Sequence, residues 1–142
     1  MAELELTVDV DAAPADAFAY LADLTHLAEW DSSVRSAELA TDTGPAIGRT
    51  FEVVHGFYGK QLDATYTITD YVCDQTLGWS IAGRADGSTR IDLEATGTGT
   101  RLRYRSELRM RGMARLLDRG LKAALEGIGE NIAAGLKKQL GG

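Results

Sequence analysis

His55 stands in a run whose alternate residues are apolar or aromatic: Phe51, Val53, His55 and Phe57 fall on one side of an extended strand, with Glu52, Val54 and Gly56 on the other. A histidine among such neighbours titrates near neutral pH and could give or take a proton, or hold a ligand carbonyl by a hydrogen bond. The same alternation groups Tyr66 with Leu62, Ala64 and Ile68, and Tyr104 with Leu102, Ser106 and Leu108. Each phenol joins an apolar ring to one hydroxyl. His55, Tyr66 and Tyr104 are therefore the candidate catalytic set, able to exchange protons at an enolising carbonyl. Trp79, between Leu77 and Ile81, and Ile91, two residues before Leu93, would add apolar wall around a ligand. The plainer alternative for every one of these positions is core packing, with the His55 ring satisfied by a hydroxyl or a water. Asp70 shares the parity of Tyr66 but lies near a strand end, so its carboxylate is expected in solvent.

Other chemistries find no support in the residue pattern. No His, Asp or Glu cluster has metal-ligand spacing, no Gly-x-Ser-x-Gly nucleophile motif is present, and no glycine-rich phosphate loop leads from a strand into a helix. Neither a metal nor a nucleotide cofactor is expected. Cys73 is the only cysteine, which excludes an intramolecular disulfide. A net charge of −6 argues against nucleic-acid binding, which needs clustered cations to displace counterions from phosphate. Arg101, Arg103, Arg105 and Arg109 keep even spacing and would share a sheet face, either solvated or forming an anion patch. The opening residues carry Glu3 and Glu5 where a secretory signal would be basic, and no window is apolar enough to insert in a membrane, so a cytoplasmic location is expected.

The elements that must position these side chains follow from period and punctuation. Leu4, Leu6, Val8 and Val10 alternate with polar residues and mark a first strand. Pro14 opens a helix with Ala17, Phe18, Leu21 and Leu24 on its apolar face, and Thr25 is expected to cap a second short helix ending at Trp30. His26 and Trp30, four apart, would share one side of it as a packing plug. Glycine-marked turns then divide the chain into strands at 34–40, 49–58, 61–72, 77–82, 89–95 and 101–110, with a turn spanning Gly83 to Gly87. From Met113 the period changes. Leu117, Leu121, Leu125, Ile128, Ile132 and Leu136 recur at three and four on a long amphipathic helix, and Leu117, Leu121 and Leu125 are expected to face the ligand space. Gly120, Gly127, Gly129 and Gly135 cost that helix about 1 kcal/mol each relative to Ala, for which close backbone approach or mobility around an internal space is the reason. Gly141 and Gly142 read as a frayed end.

One domain over residues 1–142 is expected, with an α+β architecture: a seven-stranded curved antiparallel sheet over a long C-terminal helix, and two short helices after the first strand. A single helix about 10 Å wide cannot cover so wide a twisted sheet, so the sheet must curl around it and leave a pocket at the open end. The runs Val8-Asp9-Val10-Asp11-Ala12-Ala13-Pro14-Ala15-Asp16-Ala17-Phe18, Glu29-Trp30-Asp31, Gly48-Arg49-Thr50-Phe51 and Gly99-Thr100-Arg101-Leu102, followed by a terminal helix, resemble the polyketide cyclase/dehydrase and lipid transport group of the START-like (SRPBCC) superfamily. The resemblance spans essentially the whole chain and departs in Ser32-Ser33, where many relatives carry Pro. It implies a helix-grip fold and binding of hydrophobic ligands, with catalysis in some members.

Three functions fit these residues. The first is binding or carrying of a small hydrophobic molecule, lipid-like or aromatic, in the cavity between sheet and helix, by a monomer or homodimer. The second is a cyclase or dehydratase using His55 with Tyr66 or Tyr104, against which stands the lack of a second base or an inward Arg. The third is a protein–protein module that takes a partner segment in the groove or on a sheet edge.

Overall fold

The computed structural model describes residues 2–41, 44–57, 59–83, 85–110 and 118–142, with side chains described for all of these except 2, 57, 85, 110 and 118–125. The elements are β1 (Ala2–Val10), α1 (Pro14–Ala22), a 3₁₀ turn (Leu24–His26), α2 (Leu27–Trp30), β2 (Val34–Thr41), β3 (Thr50–Phe57), β4 (Lys60–Val72), β5 (Thr76–Gly83), β6 (Ala85–Ala95), β7 (Thr100–Met110) and α3 (Asp118–Leu140). The strands form one antiparallel sheet in the order β1-β7-β6-β5-β4-β3-β2. Hairpins supply every pairing but one. That one joins β1 to β7 and brings the two ends of the chain together, so that α3, leaving β7, packs along β1 and α2. This is the α+β helix-grip arrangement expected from the residue pattern.

The apolar parity of each strand becomes the inner face. Phe51, Val53, Ala64, Tyr66, Ile68, Leu77, Trp79, Ile81, Ile91, Leu102 and Tyr104 are buried, and Ile132 and Leu136 of α3 cover them. Opposite them, Arg101 pairs with Asp9, Arg103 with Glu94, and Arg105 with Glu5 at 2.9–3.3 Å, all substantially exposed. Arg101, Arg103 and Arg105 thus belong to a solvated face and are offset by exposed ion pairs that add little to stability.

Four local expectations are corrected. Thr25 does not cap the second helix; it lies inside a 3₁₀ turn capped by Asp23, whose Oδ1 accepts from Thr25 N at 3.0 Å and Thr25 Oγ1 at 2.6 Å, and α2 has no side-chain cap. The cap starts a 3₁₀ turn before α2, and the tighter winding rotates His26 away from Trp30. His26 stacks on Tyr20 with ring centroids 4.5 Å apart, while Trp30 is buried. Strand β6 begins at Ala85, not Thr89, because Gly87 pairs with both Ile81 and Leu108 inside the sheet, where a Cβ would strike the Glu107 carbonyl. The glycine marks close approach of strands, not a turn. Finally, Gly141 is tied down: its carbonyl accepts from Asp11 N at 3.2 Å and its N–H donates to the Lys137 carbonyl at 2.8 Å.

Asp70 is exposed as expected, and the sheet shows how. The β4–β5 register slips between Ile68 and Asp70, so Thr69 is an extra residue that turns Asp70 outward. Tyr71 then stands opposite Leu77 and meets Phe18 of α1 edge-on, 5.0 Å between centroids.

Candidate functional site

Between the concave sheet face and α2 and α3 lies a cavity of about 80 Å³. Its walls are mostly apolar, with Leu4, Leu27, Leu62, Ile81, Ile128 and Ile132 prominent among the described residues. The smaller size than a bare sheet-over-helix gap follows from Tyr66, Trp79 and Tyr104, whose rings project into the space and are themselves lining residues. Tyr66 stacks on Trp79 at 5.9 Å, and Tyr104 meets Trp30 edge-on at 6.2 Å.

Two polar groups interrupt this wall. The first joins His55 of β3 to Tyr66 of β4: the Tyr66 hydroxyl lies 2.6 Å from His55 Nε2. Adjacent strands and shared parity bring them together, His55 facing Leu62 and Tyr66 facing Phe51 in register. With them stands Asp31, which ends α2 and is 7% exposed. Its Oδ1 accepts from Ser33 N at 2.9 Å and Ser33 Oγ at 2.6 Å, a local turn that fixes the carboxylate. The second group is Thr89 and Ser106, cross-strand partners whose hydroxyls are 3.0 Å apart, beside the hydroxyl of Tyr104.

Burial dominates the electrostatics of the first group. It pushes the Asp31 carboxyl above the usual carboxylate range against the Ser33 hydrogen bonds and the His55 charge, which favour ionisation. It holds the His55 imidazole below its ordinary value, Asp31 opposing in part. Burial and the nearby Asp31 charge together raise both tyrosines, so each remains a neutral phenol and a hydrogen-bond donor. Burial thus disfavours the charged forms of all three groups, and the Tyr66–His55 hydrogen bond runs in the direction that the imidazole tautomer sets.

A pH prediction follows. Because the folded-state value of His55 is lowered, its contribution to stability is present above the unfolded value near 6.5 and is lost as pH falls below it. Asp31, raised, acts with the opposite sign: its contribution is present below the unfolded value of 3.8 and lost as pH rises through the folded one. Replacing His55 by Gln should remove the acid-side loss, flattening the fall in unfolding free energy between about pH 7 and 5 by up to about 1.4 kcal/mol per pH unit. Urea midpoints across that range measure it, and an unchanged slope would mean that His55 is not held neutral by the fold.

Of the residues expected at a site, His55, Tyr66, Trp79 and Tyr104 line the cavity, whereas Phe51, Val53 and Ile91 are packed in the core away from it. Ile91 lies one inward position beyond Thr89, on the strands β5 and β6 that α1 covers, so that stretch of inner face is filled by helix. The Phe57 side chain, Leu117, and the side chains of Leu121 and Leu125 lie outside the described residues. Asp31, Ser33 and Thr89 were not expected at the site. Thr89 carries a signal, since it shares the parity of Ile91 and Leu93. Among the described residues no group of His, Cys, Asp and Glu could hold a metal ion, and no helix is long and apolar enough to cross a membrane.

A family model described as polyketide cyclase/dehydrase and lipid transport matches residues 1–141. The chain belongs to this family. Solved structures share the fold of this chain. A START superfamily protein from Mycobacterium smegmatis aligns with a TM-score of 0.81 at 11% identity, over 97% of this chain and 96% of its own. The protein TTHA0849 from Thermus thermophilus gives 0.79 at 16%, over 98% and 95%. The Zhui aromatase/cyclase from Streptomyces sp. R1128 gives 0.79 at 14%, over 97% and 92%. At these identities the likeness is one of fold. A comparison with curated proteins found no match.

Proposed function

We propose that the chain binds a small, largely apolar molecule in this cavity, with one polar group of the ligand reaching Asp31, His55 and Tyr66. The observation that supports it is the convergence of a buried carboxylate, an imidazole and a phenol on one otherwise apolar cavity. Apolar walls contribute affinity through burial, and a few fixed polar groups set the ligand's orientation. The family's lipid-transport members and the hydrophobic walls point the same way.

Trp79 lines the cavity and Trp30 packs against Tyr104, so ligand entry should change tryptophan fluorescence. Titration with neutral aryl alcohols, sterols, flavonoids and polyketide mimics should give saturable, one-to-one binding for at least one class. A flat response across all of them would contradict the proposal.

A second function is favoured by one observation, the 2.6 Å contact of Tyr66 and His55. With the imidazole proton on Nε2, His55 donates to the Tyr66 oxygen and the phenol proton turns to a ligand carbonyl; as that proton passes to the ligand the Nε2 proton passes to the phenol oxygen, and Asp31 is the nearby second acid or base that the residue pattern lacked. This is the arrangement a cyclase or dehydratase needs at an enolising carbonyl, and a cyclase stands among the structures of like fold. A His55→Ala variant retaining full turnover of a polyketide-like substrate would remove this mechanism.

A further inference from the structure

Asp31 is one of the cavity's lining residues and is 7% exposed, yet both of its hydrogen bonds fall on Oδ1, leaving Oδ2 without a hydrogen bond among the described residues. A carboxylate oxygen so placed, in a residue otherwise shielded from water, is best met by a proton or a positive charge. The ring faces of Tyr66, Trp79 and Tyr104 line the same space, and aromatic faces attract cations by about 0.5–2 kcal/mol. Among the described lining residues there is no Lys or Arg to receive an anion. Resting on the binding function proposed above, we infer that the cavity selects a hydrophobic ligand bearing a protonated nitrogen, set against Asp31 and the aromatic rings, over one bearing a carboxylate.

The reason is the charge that Asp31 takes when a cation faces it, since burial alone disfavours its ionised form. An ammonium brought to Asp31 gains a charge-assisted hydrogen bond with the carboxylate in a site largely shielded from water. A carboxylate of the same size would place two anions together, and binding would require one of them to be protonated. An alcohol sits between these limits, since its hydroxyl can donate to Oδ2 without carrying charge.

The test uses three ligands of one shape: phenylpropylamine, phenylpropanol and phenylpropanoate, titrated near pH 7 and followed by calorimetry. The expected order is amine, then alcohol, then carboxylate, with about tenfold between successive members. In Asp31→Asn the amide oxygen can still accept from Ser33 while the amide nitrogen takes the place of Oδ2, so both ligands lose that acceptor, and the amine should fall further, to within about threefold of the alcohol. Carboxylate binding equal to or tighter than amine binding overturns the inference, as does an amine preference that survives Asp31→Asn. Should that variant fail to fold, the three-ligand series on the unaltered chain decides by itself. Alcohol binding with no preference for the amine sinks the inference alone, whereas failure of all three ligands to bind contradicts the binding function and the inference together.

Discussion

Replacing Gly135 by Ala should destabilise the chain by about 2 kcal/mol, the reverse of what this change does at an open helical position. A Cβ at Gly135 would run into the Trp30 carbonyl oxygen and lie 2.8 Å from the Trp30 Cα, so backbone, and not a pliable side chain, stands in the way. The helices α2 and α3 meet here, and Asp31 follows directly on Trp30. Pushing them apart therefore also displaces the carboxylate of the site, and ligand affinity should fall with stability. Gly127 is the internal control. Among the described residues nothing lies within 4 Å of a Cβ built there, so Gly127→Ala should stabilise by about 1 kcal/mol. Chemical denaturation of both variants checks the pair, and equal effects at the two positions would mean that close approach is not what Gly135 serves. At Gly135 the reason for a helical glycine is contact, whereas no described residue requires one at Gly127.

Filling the cavity from its own wall should abolish binding while leaving the fold intact. Ala64 is buried on β4 and lines the cavity, and Leu in its place adds three carbons directed into about 80 Å³ of space. Those carbons displace a similar portion of the ligand, and at about 0.8 kcal/mol per buried methylene the loss is about 2.4 kcal/mol, or roughly fiftyfold in affinity. Stability should hold or rise, by at most about 2 kcal/mol, because closing a cavity of this size recovers about 24 cal/mol per Å³. Weak binding together with unaltered or increased resistance to urea would locate the ligand here. Undiminished affinity in a folded Ala64→Leu variant would place it elsewhere.

Much of the scaffold was legible because strand alternation is a local signal. The parity that groups His55 with Phe51 and Val53, and Tyr66 with Ala64 and Ile68, is the parity that turns both polar side chains inward on neighbouring strands. Parity tells which face is inside but not which part of that face is already filled, so Phe51, Val53 and Ile91 were expected on the cavity and are core instead. That distinction depends on where α1 lies across β5 and β6. Asp31 was the least legible. It stands after a short helix among Ser residues, where a solvent-facing cap is the ordinary expectation, and its burial depends on α3 pressing against α2, a contact between segments about a hundred residues apart. The carboxyl proposed as the second acid or base could not be recognised without that contact.

Native mass spectrometry of the freshly purified chain, beside Ala64→Leu, followed by solvent extraction of whatever is released, tests the binding function most directly. The account predicts a near-stoichiometric hydrophobic species, or uptake of one added aryl ligand per chain, with loss of that adduct in Ala64→Leu. A bare mass that no offered ligand alters, or an adduct that Ala64→Leu carries equally well, would contradict it.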